Sequence, residues 1–398
     1  MDKIDELLTR GVANIIPGKE ELKKALGSGK KLNVYFGIDP TAPRIHLGHT
    51  VPLIELQKFA ELGHNVTLLI GDFTALIGDT SDKDSERPVL SSEQIEENFK
   101  TYKEQAEKIL DFSKVKIRHN SEWLVKLGFE DVVKLTQKFS VGDFVSRELI
   151  KKRLAGNGRI GLHEVLYPVM QGYDSYFMDT DIQIGGTDQT FNMQAGRHLQ
   201  KLMRNKESFV LATGFLMGTD GRKMSKTWGN AIWLDDNAQD MFGKIMAVND
   251  DLIIQYFTLT TRVSNEEIAE IEKKLKANKN PIDIKKKLAF EIVRELNNET
   301  DAKSAQEYFE KTVQKRELPE DIPTFEMNSD EHLVITELLV KAGLAESKSE
   351  AKRLVEQGAV EIDSDVVDSP TEEIIPHDNM LIKCGKRNFI RIKLSNGR

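Results

Sequence analysis

Asn33-Val-Tyr-Phe-Gly-Ile-Asp-Pro-Thr-Ala-Pro-Arg-Ile-His46-Leu-Gly-His49-Thr-Val-Pro-Leu-Ile-Glu-Leu-Gln-Lys-Phe59 reads as a strand giving way to a helix. The run from Asn33 to Ile38 is apolar and rich in strand formers, and from Leu47 the apolar residues recur at helical spacing. Free N–H groups at such a helix start attract phosphate. His46 and His49, at i and i+3, project from one face. Gly48 between them lacks a side chain, which lets a flat base or ribose approach the backbone. A second string, Gly218-Thr-Asp-Gly-Arg-Lys223-Met-Ser-Lys226-Thr227, is rich in glycine and charge and poor in helix signals. It reads as a mobile loop carrying ammonium groups. Donors at a helix start and lysines on a loop suit a reaction in which charge grows on the phosphates of a nucleotide.

Outward from these strings the chain alternates. Strand patterns fall at 34–38, 66–71, 115–119, 182–185 and 209–213, with helical patterns between them at 47–62, 92–110, 162–177 and 189–203. This predicts an α/β domain over 1–234, a Rossmann-like, doubly wound parallel sheet whose ligands sit beyond the carboxyl ends of its strands. The helical stretch at about 121–158 reads as an insertion between the two halves of the sheet. Helices then dominate 235–317. Two prolines and acidic residues make 318–331 a linker, and 332–398 is a small α+β unit with two short helices followed by strands.

Composition narrows the class. The 398 residues, 39% hydrophobic, suffice for two or three domains with cores of their own. No run of about 18 apolar residues occurs, so no membrane helix is expected. Met1-Asp-Lys-Ile-Asp-Glu reads as a charged helix start rather than a signal peptide. One cysteine, Cys384, allows no internal disulfide, which fits a reducing cytoplasm, and it reads as a small buried residue. The net charge of −8 excludes a broad, non-specific nucleic-acid binder. Basic clusters at 147–159, 273–287 and 383–398 nevertheless suggest a polyanion contacted at chosen places.

Two further stretches carry chemistry. Tyr167-Pro-Val-Met-Gln171-Gly-Tyr-Asp174 opens like a helix, with Pro168 suited to a first turn. At about 100° per residue, Tyr167, Gln171 and Asp174 form one polar stripe on an otherwise apolar helix. A buried stripe of this kind needs partners, which a zwitterion with a phenol would provide; an exposed stripe would need none. In Gln183-Ile-Gly-Gly186-Thr-Asp188-Gln189, the glycines after a strand permit close approach of a nucleotide, and Asp188 suits ribose hydroxyls.

The two strings, in this order and with a strand before the first, resemble the class I aminoacyl-tRNA synthetases, which join an amino acid to the α-phosphate of ATP and pass it to tRNA. The closing unit resembles the S4-like RNA-binding domain through Leu338-Leu-Val-Lys-Ala-Gly343, Ser349-Glu-Ala-Lys-Arg-Leu-Val355 and Gly358-Ala-Val360. Over essentially the whole chain the resemblance narrows to the tyrosyl-tRNA synthetases of the bacterial type. It implies that Tyr35 and Asp174 bond the substrate hydroxyl, and that Tyr167, Gln171 and Asp79 hold its α-amino group. Thr74 belongs to the same wall, Gln183 lines the tyrosine pocket, and Gln189 lies near the carboxylate. Phenylalanine would leave the hydroxyl-binding pair unsatisfied. Gly37, Asp39, Gly48, Gly186 and Asp188 are implied for ATP, with His46, His49 and Lys226.

In the same resemblance His46, His49 and Thr41 stabilise the crowded phosphorus, and Lys223, Lys226 and Thr227 close over the departing pyrophosphate. Lys83 and Arg87 match a second mobile cationic loop. Lys348, Lys352 and Arg353 would face RNA. Mg²⁺ is expected with ATP, without a protein metal cage or a tightly bound cofactor. A cytoplasmic homodimer joined through 121–158 and a tRNA(Tyr) partner are implied, with no membrane. Asn120 and Trp123 match a pair of structural and nucleotide-side importance. Pro52 and Thr190-Phe191 depart from the common pattern. The competing readings are a tryptophanyl-tRNA synthetase, a nucleotidylyltransferase, and a non-catalytic RNA-binding relative.

Overall fold

A computed structural model describes residues 3–79, 90–225, 228–277, 280–314, 322–328, 332–385 and 388–395. Two compact units result, one of Met1–Asp236 with Ala247–Asn297, the other of Asn237–Met246 with Asn298–Arg398. The helices of the expected 235–317 segment divide between them. Ile253–Thr260, Asn265–Lys276 and Ile282–Leu296 belong to the first unit, and Ala238–Met246 and Glu299–Phe309 to the second.

The first unit is built on strands β1 (Val12–Ile16), β2 (Asn33–Ile38), β3 (Asn65–Ile70), β4 (Val115–His119), β5 (Ile182–Gly186) and β6 (Phe209–Thr213), in the order β1-β6-β5-β2-β3-β4. β2 to β6 are parallel. Their centres are apolar and buried, as at Val34, Leu68, Ile182 and Leu211, because helices cover both faces. From β2 the chain adds β3 and β4 on one side and then β5 and β6 on the other, so the order reverses between β2 and β5. Such a switch leaves a crevice at the carboxyl edge.

β1 was not anticipated. It pairs antiparallel with β6 at the sheet edge, and its pattern is mostly exposed or half-buried, so no apolar run announces it. The helix pattern after β2 is observed as one 3₁₀ turn, Leu47–His49, continuing into the helix Thr50–Glu61. Gly63, at φ +83°, takes the left-handed position beyond that helix.

Pro168 lies inside the helix Leu162–Phe177 rather than in its first turn. The helix spans the 162–177 pattern, and at its start the Glu164 carboxylate accepts from the Gly161 N–H (2.8 Å) and is paired with buried Arg153 (2.7 Å). Between β4 and β5 lie four short helices, Ser121–Leu124, Phe129–Thr136, Val141–Val145 and Glu148–Ala155. Leu135 and Phe144 anchor them against Val169 and Leu199. Phe129, 86% exposed, and Val125, Val133, Val141 and Leu154 face outward.

In the second unit a five-stranded sheet has the order β10-β9-β12-β13-β7. These strands are β7 (Thr324–Asn328), β9 (Val360–Ile362), β10 (Asp365–Val366), β12 (Leu381–Cys384) and β13 (Asn388–Ser395); the short β8 (Leu333–Val334) and β11 (Glu373–Ile374) pair separately. Helices Ile335–Lys341 and Lys348–Glu356 pack on it through Leu338, Leu339, Ala351 and Val355. Part of the expected linker is therefore a strand. β7 pairs parallel with β13, and only Met327 of it is buried, so its sequence looked loop-like. No helix among the described residues is long and apolar enough to cross a membrane.

Candidate active site

All five parallel strands deliver residues to one cavity of about 260 Å³ at their carboxyl edge. β2 supplies Tyr35 and Gly37, with Asp39 and Thr41 beyond its end. The turn after it supplies His46, Gly48 and His49. Thr74 and Asp79 follow β3, and Asn120 follows β4. Gly186 ends β5 and leads to Asp188 and Gln189. Tyr167, Gln171 and Asp174 come from the helix before β5, and Lys223 from the loop after β6. The sequence had singled out each of these. Lys83, Arg87, Lys226 and Thr227 lie outside the described residues.

A continuous hydrogen-bond chain runs along the polar wall from Trp123 to Tyr167, and Gln189 and Asp79 pair beside it. Trp123 Nε1 donates to Asp174 Oδ1 (2.7 Å), and Asn120 Nδ2 donates both to Asp174 Oδ2 (3.2 Å) and to Thr74 Oγ1 (2.9 Å). Thr74 in turn donates to Asp39 Oδ1 (2.8 Å), and Tyr167 Oη donates to Asp39 Oδ2 (2.8 Å). Gln189 Nε2 donates to Asp79 (2.6 Å). Asn120 and Trp123, expected as a pair of structural and nucleotide-side importance, are both buried and meet at Asp174.

Gln183 also differs from expectation. It is fully buried behind Tyr35, accepts from the Tyr35 hydroxyl (3.1 Å) and donates to the Met193 carbonyl (2.9 Å), and it does not line the cavity. The hydroxyl of Tyr35 thus turns to Gln183 rather than to Asp174.

Burial sets the electrostatics. Asp174, 2% exposed, has its carboxyl pushed up to about 8, because desolvation outweighs the bonds from Trp123 and Asn120. Burial, reinforced by the Asp174 charge, holds the Tyr35 phenol well above its ordinary value; Tyr167 is raised by burial and by Asp39. His46 and His49 sit with ring centres 3.9 Å apart. Burial lowers His46 to about 2, with help from His49 and Lys223, and lowers His49 to about 4. Both imidazoles are therefore neutral at pH 7. His46 Nδ1 accepts from the Gly48 N–H (3.1 Å), which leaves its Nε2 as the donor.

Gly48 has a second reason beyond access. A Cβ there would stand 3.0 Å from the His46 ring, so any other residue would push on the ring that caps the turn.

Other parts of the site were not legible beforehand. Arg44 donates to Asp235 (2.7 Å) and Asp236 (3.0 Å), and its guanidinium lies 4.8 Å over the Trp233 ring. Main-chain bonds from Leu47 N–H to the Ile232 carbonyl (2.8 Å) and from Leu234 N–H to the Ile45 carbonyl (3.0 Å) complete this anchor of the histidine turn. An arginine far upstream of an aromatic–acid–acid run leaves no local pattern. Phe215 and Leu216 also line the cavity and carry no motif of their own.

In the second unit, Lys348, Lys352 and Arg353 are exposed on one helix, each beside a glutamate: Glu337 (2.6 Å), Glu356 (3.7 Å) and Glu350 (3.7 Å). Exposed pairs of this kind contribute about 0–1 kcal/mol and exchange readily for another anion.

Comparisons with known proteins agree with this architecture. Residues 28–314 match the family model "tRNA synthetases class I (W and Y)", and residues 314–392 match "Tyrosine--tRNA ligase SYY-like C-terminal domain". The tyrosine–tRNA ligase of Dehalococcoides mccartyi strain CBDB1 is 43% identical over 390 residues, covering 98% of each chain. That of Thermotoga maritima is 43% identical over 389 residues, covering 97% of this chain and 96% of its own. Among solved structures, the truncated Aspergillus nidulans mitochondrial tyrosyl-tRNA synthetase is similar with a TM-score of 0.65 at 21% identity, covering 79% of this chain and 93% of its own. The Archaeoglobus fulgidus tyrosyl-tRNA synthetase, solved with L-tyrosine, gives 0.60 at 22%, covering 77% and 99%. These two likenesses speak to the fold, while the closer sequence relatives and the two family models identify the chain as a member of the tyrosine–tRNA ligases, class I aminoacyl-tRNA synthetases.

Proposed function

We propose that the cavity activates L-tyrosine with ATP to tyrosyl-adenylate and diphosphate, and that the tyrosyl group then passes to the 3′ end of tRNA(Tyr). The observation that carries this reading is the buried acceptor Asp174, close enough to Tyr35 for its charge to act on the phenol, in the cavity that also holds His46 and His49. Asp174 accepts the substrate's phenolic proton as a hydrogen bond. Tyr167, Gln171 and Asp79 receive the α-amino group, and Gln189 lies by the carboxylate. Gly37, Asp39, Gly186 and Asp188 receive the nucleoside.

The tyrosine carboxylate is ionised at neutral pH and needs no general base. One of its oxygens forms the new bond to the α-phosphorus, the bond to the bridging oxygen breaks, and diphosphate leaves with that electron pair. His46, His49 and Thr41 donate toward the α-phosphate oxygens as charge grows there. Neutral imidazoles suit this task, since they donate without requiring a buried charge. Lys223, with Lys226 and Thr227, draws the leaving diphosphate; Lys83 and Arg87 are assigned the same role. Mg²⁺ is assigned to the phosphates of ATP, because this ion usually binds through substrate phosphates and keeps much of its water.

The exposed apolar residues Phe129, Val125, Val133 and Val141 support a homodimer joined through the insertion, because surfaces of this kind are covered in a stable assembly. We assign 332–398 to RNA binding through Lys348, Lys352 and Arg353, and the whole enzyme to the cytoplasm. Amino-acid-dependent exchange of labelled pyrophosphate into ATP tests the activity. Exchange with tyrosine is expected, and exchange with tryptophan alone would overturn the assignment.

A further inference from the structure

Asn230 follows the lysine loop and is only 3% exposed. Its Nδ2 donates to Asp220 Oδ1 (2.7 Å) and to the Lys223 carbonyl (3.1 Å), while its Oδ1 accepts from the Ser225 N–H (2.8 Å). The amide therefore grips the main chain on both sides of Met224, which is buried and lines the cavity beside Lys223. Only an amide can serve all three partners. An aspartate could accept from Ser225 but would offer no donor to the carbonyl, and would set a second carboxylate against Asp220.

Two neighbours are built around this grip. A Cβ on Gly218 would stand 2.3 Å from Asn230 Nδ2, so glycine leaves the room the amide occupies. Asp220, also bonded by Arg222 (2.7 Å), joins the start of the loop to its end.

We infer that Asn230 is a positioning residue for adenylate formation, fixing the Lys223–Ser225 backbone so that the Lys223 ammonium reaches the leaving diphosphate. The inference rests on the activity proposed above, and the wild-type exchange assay tests that activity separately. Small misplacements of a group acting in the transition state lower the rate far more than they lower binding of a substrate it does not touch.

Asn230→Asp keeps size and the Ser225 acceptor while removing both donors. In tyrosine-dependent pyrophosphate exchange its kcat is expected to fall about tenfold or more, with tyrosine affinity by calorimetry within about twofold of wild type. Gly218→Ala, which displaces the amide, is expected to reproduce the loss, yet to add little in an Asn230→Ala background where the clash is gone. A kcat within about twofold of wild type for Asn230→Asp, a tyrosine affinity falling in step with the rate, or fully additive losses for Gly218→Ala and Asn230→Ala would each overturn the inference.

Discussion

Replacing Trp123 by phenylalanine removes the 2.7 Å indole donor from Asp174 while keeping a ring to stack on Phe177, now 4.6 Å away. A hydrogen bond to a charged group contributes about 1.5–3 kcal/mol, and a pKa unit corresponds to about 1.4 kcal/mol. The carboxyl, already pushed up to about 8, should therefore rise by about one to two units. In the proposed complex tyrosine donates its phenolic proton to the ionised form, so binding from below pH 8 releases a proton. Wild-type affinity should then increase about 50-fold from pH 6 to pH 8, as the ionised fraction goes from about 1% to about half. At pH 7.5 the variant should bind tyrosine about tenfold to nearly a hundredfold more weakly. The group's effect on stability has the opposite sign. Its folded value is raised, so its contribution is fully present below the ordinary carboxyl range and is lost as pH climbs through about 8. Equilibrium dialysis of labelled tyrosine from pH 6 to 9, with thermal unfolding alongside, reads both. A flat wild-type affinity across that range, or identical profiles for the two proteins, would refute the reasoning.

His49→Ala should slow adenylate formation about 10²- to 10³-fold in rapid-mixing experiments while sparing tyrosine affinity, the loss expected for one donor to developing charge; a variant weakened in binding but not in rate would contradict the assigned role. Phe129→Glu should turn the proposed dimer into monomers by sedimentation, because it places a charge among the exposed apolar residues of the insertion. Lys352→Glu with Arg353→Glu should leave pyrophosphate exchange within about twofold and impair tRNA charging, with a shallower salt dependence of tRNA binding. Unaltered charging would remove that helix from the RNA surface.

The parts legible in the sequence are those with a local period or a compact motif. β2, β3 and β6 were read from apolar runs, and the His46–His49 turn from its place between β2 and a helix. β1 and β7 escaped because edge strands need few buried residues, and partners far along the chain supply their pairing. The candidate site divides the same way. Tyr167 and Asp174 share a helical stripe and could be found by spacing, whereas Asn120 and Trp123 reach Asp174 from after β4, and Arg44 meets Asp235 across most of the first unit. Long-range polar contacts of this kind obey geometry rather than sequence spacing. Gln183 shows the limit from the other side: it pairs in register with Tyr35 and shares its face of the sheet, but its amide is taken up by the Tyr35 hydroxyl and the Met193 carbonyl, partners that its place on β5 does not announce.

The proposed roles separate along a gradient of burial. Asp174, Tyr35 and Tyr167 are buried in a bonded network, where changing one partner leaves another unsatisfied, so recognition there should respond to pH and resist salt. Lys223 is exposed on its loop, held at the backbone by Asn230, and an exposed ammonium is screened by salt. The two histidines stand between these regimes, neutral because they are buried, with His46 also lowered by His49 and Lys223. Raising ionic strength from about 0.05 to 0.5 M shortens the screening length from roughly 14 to 4 Å, so it should lower the rate of adenylate formation while leaving tyrosine affinity nearly constant. Equal sensitivity of both to salt would mean that recognition and phosphate handling share one set of charges, contrary to the division that burial imposes.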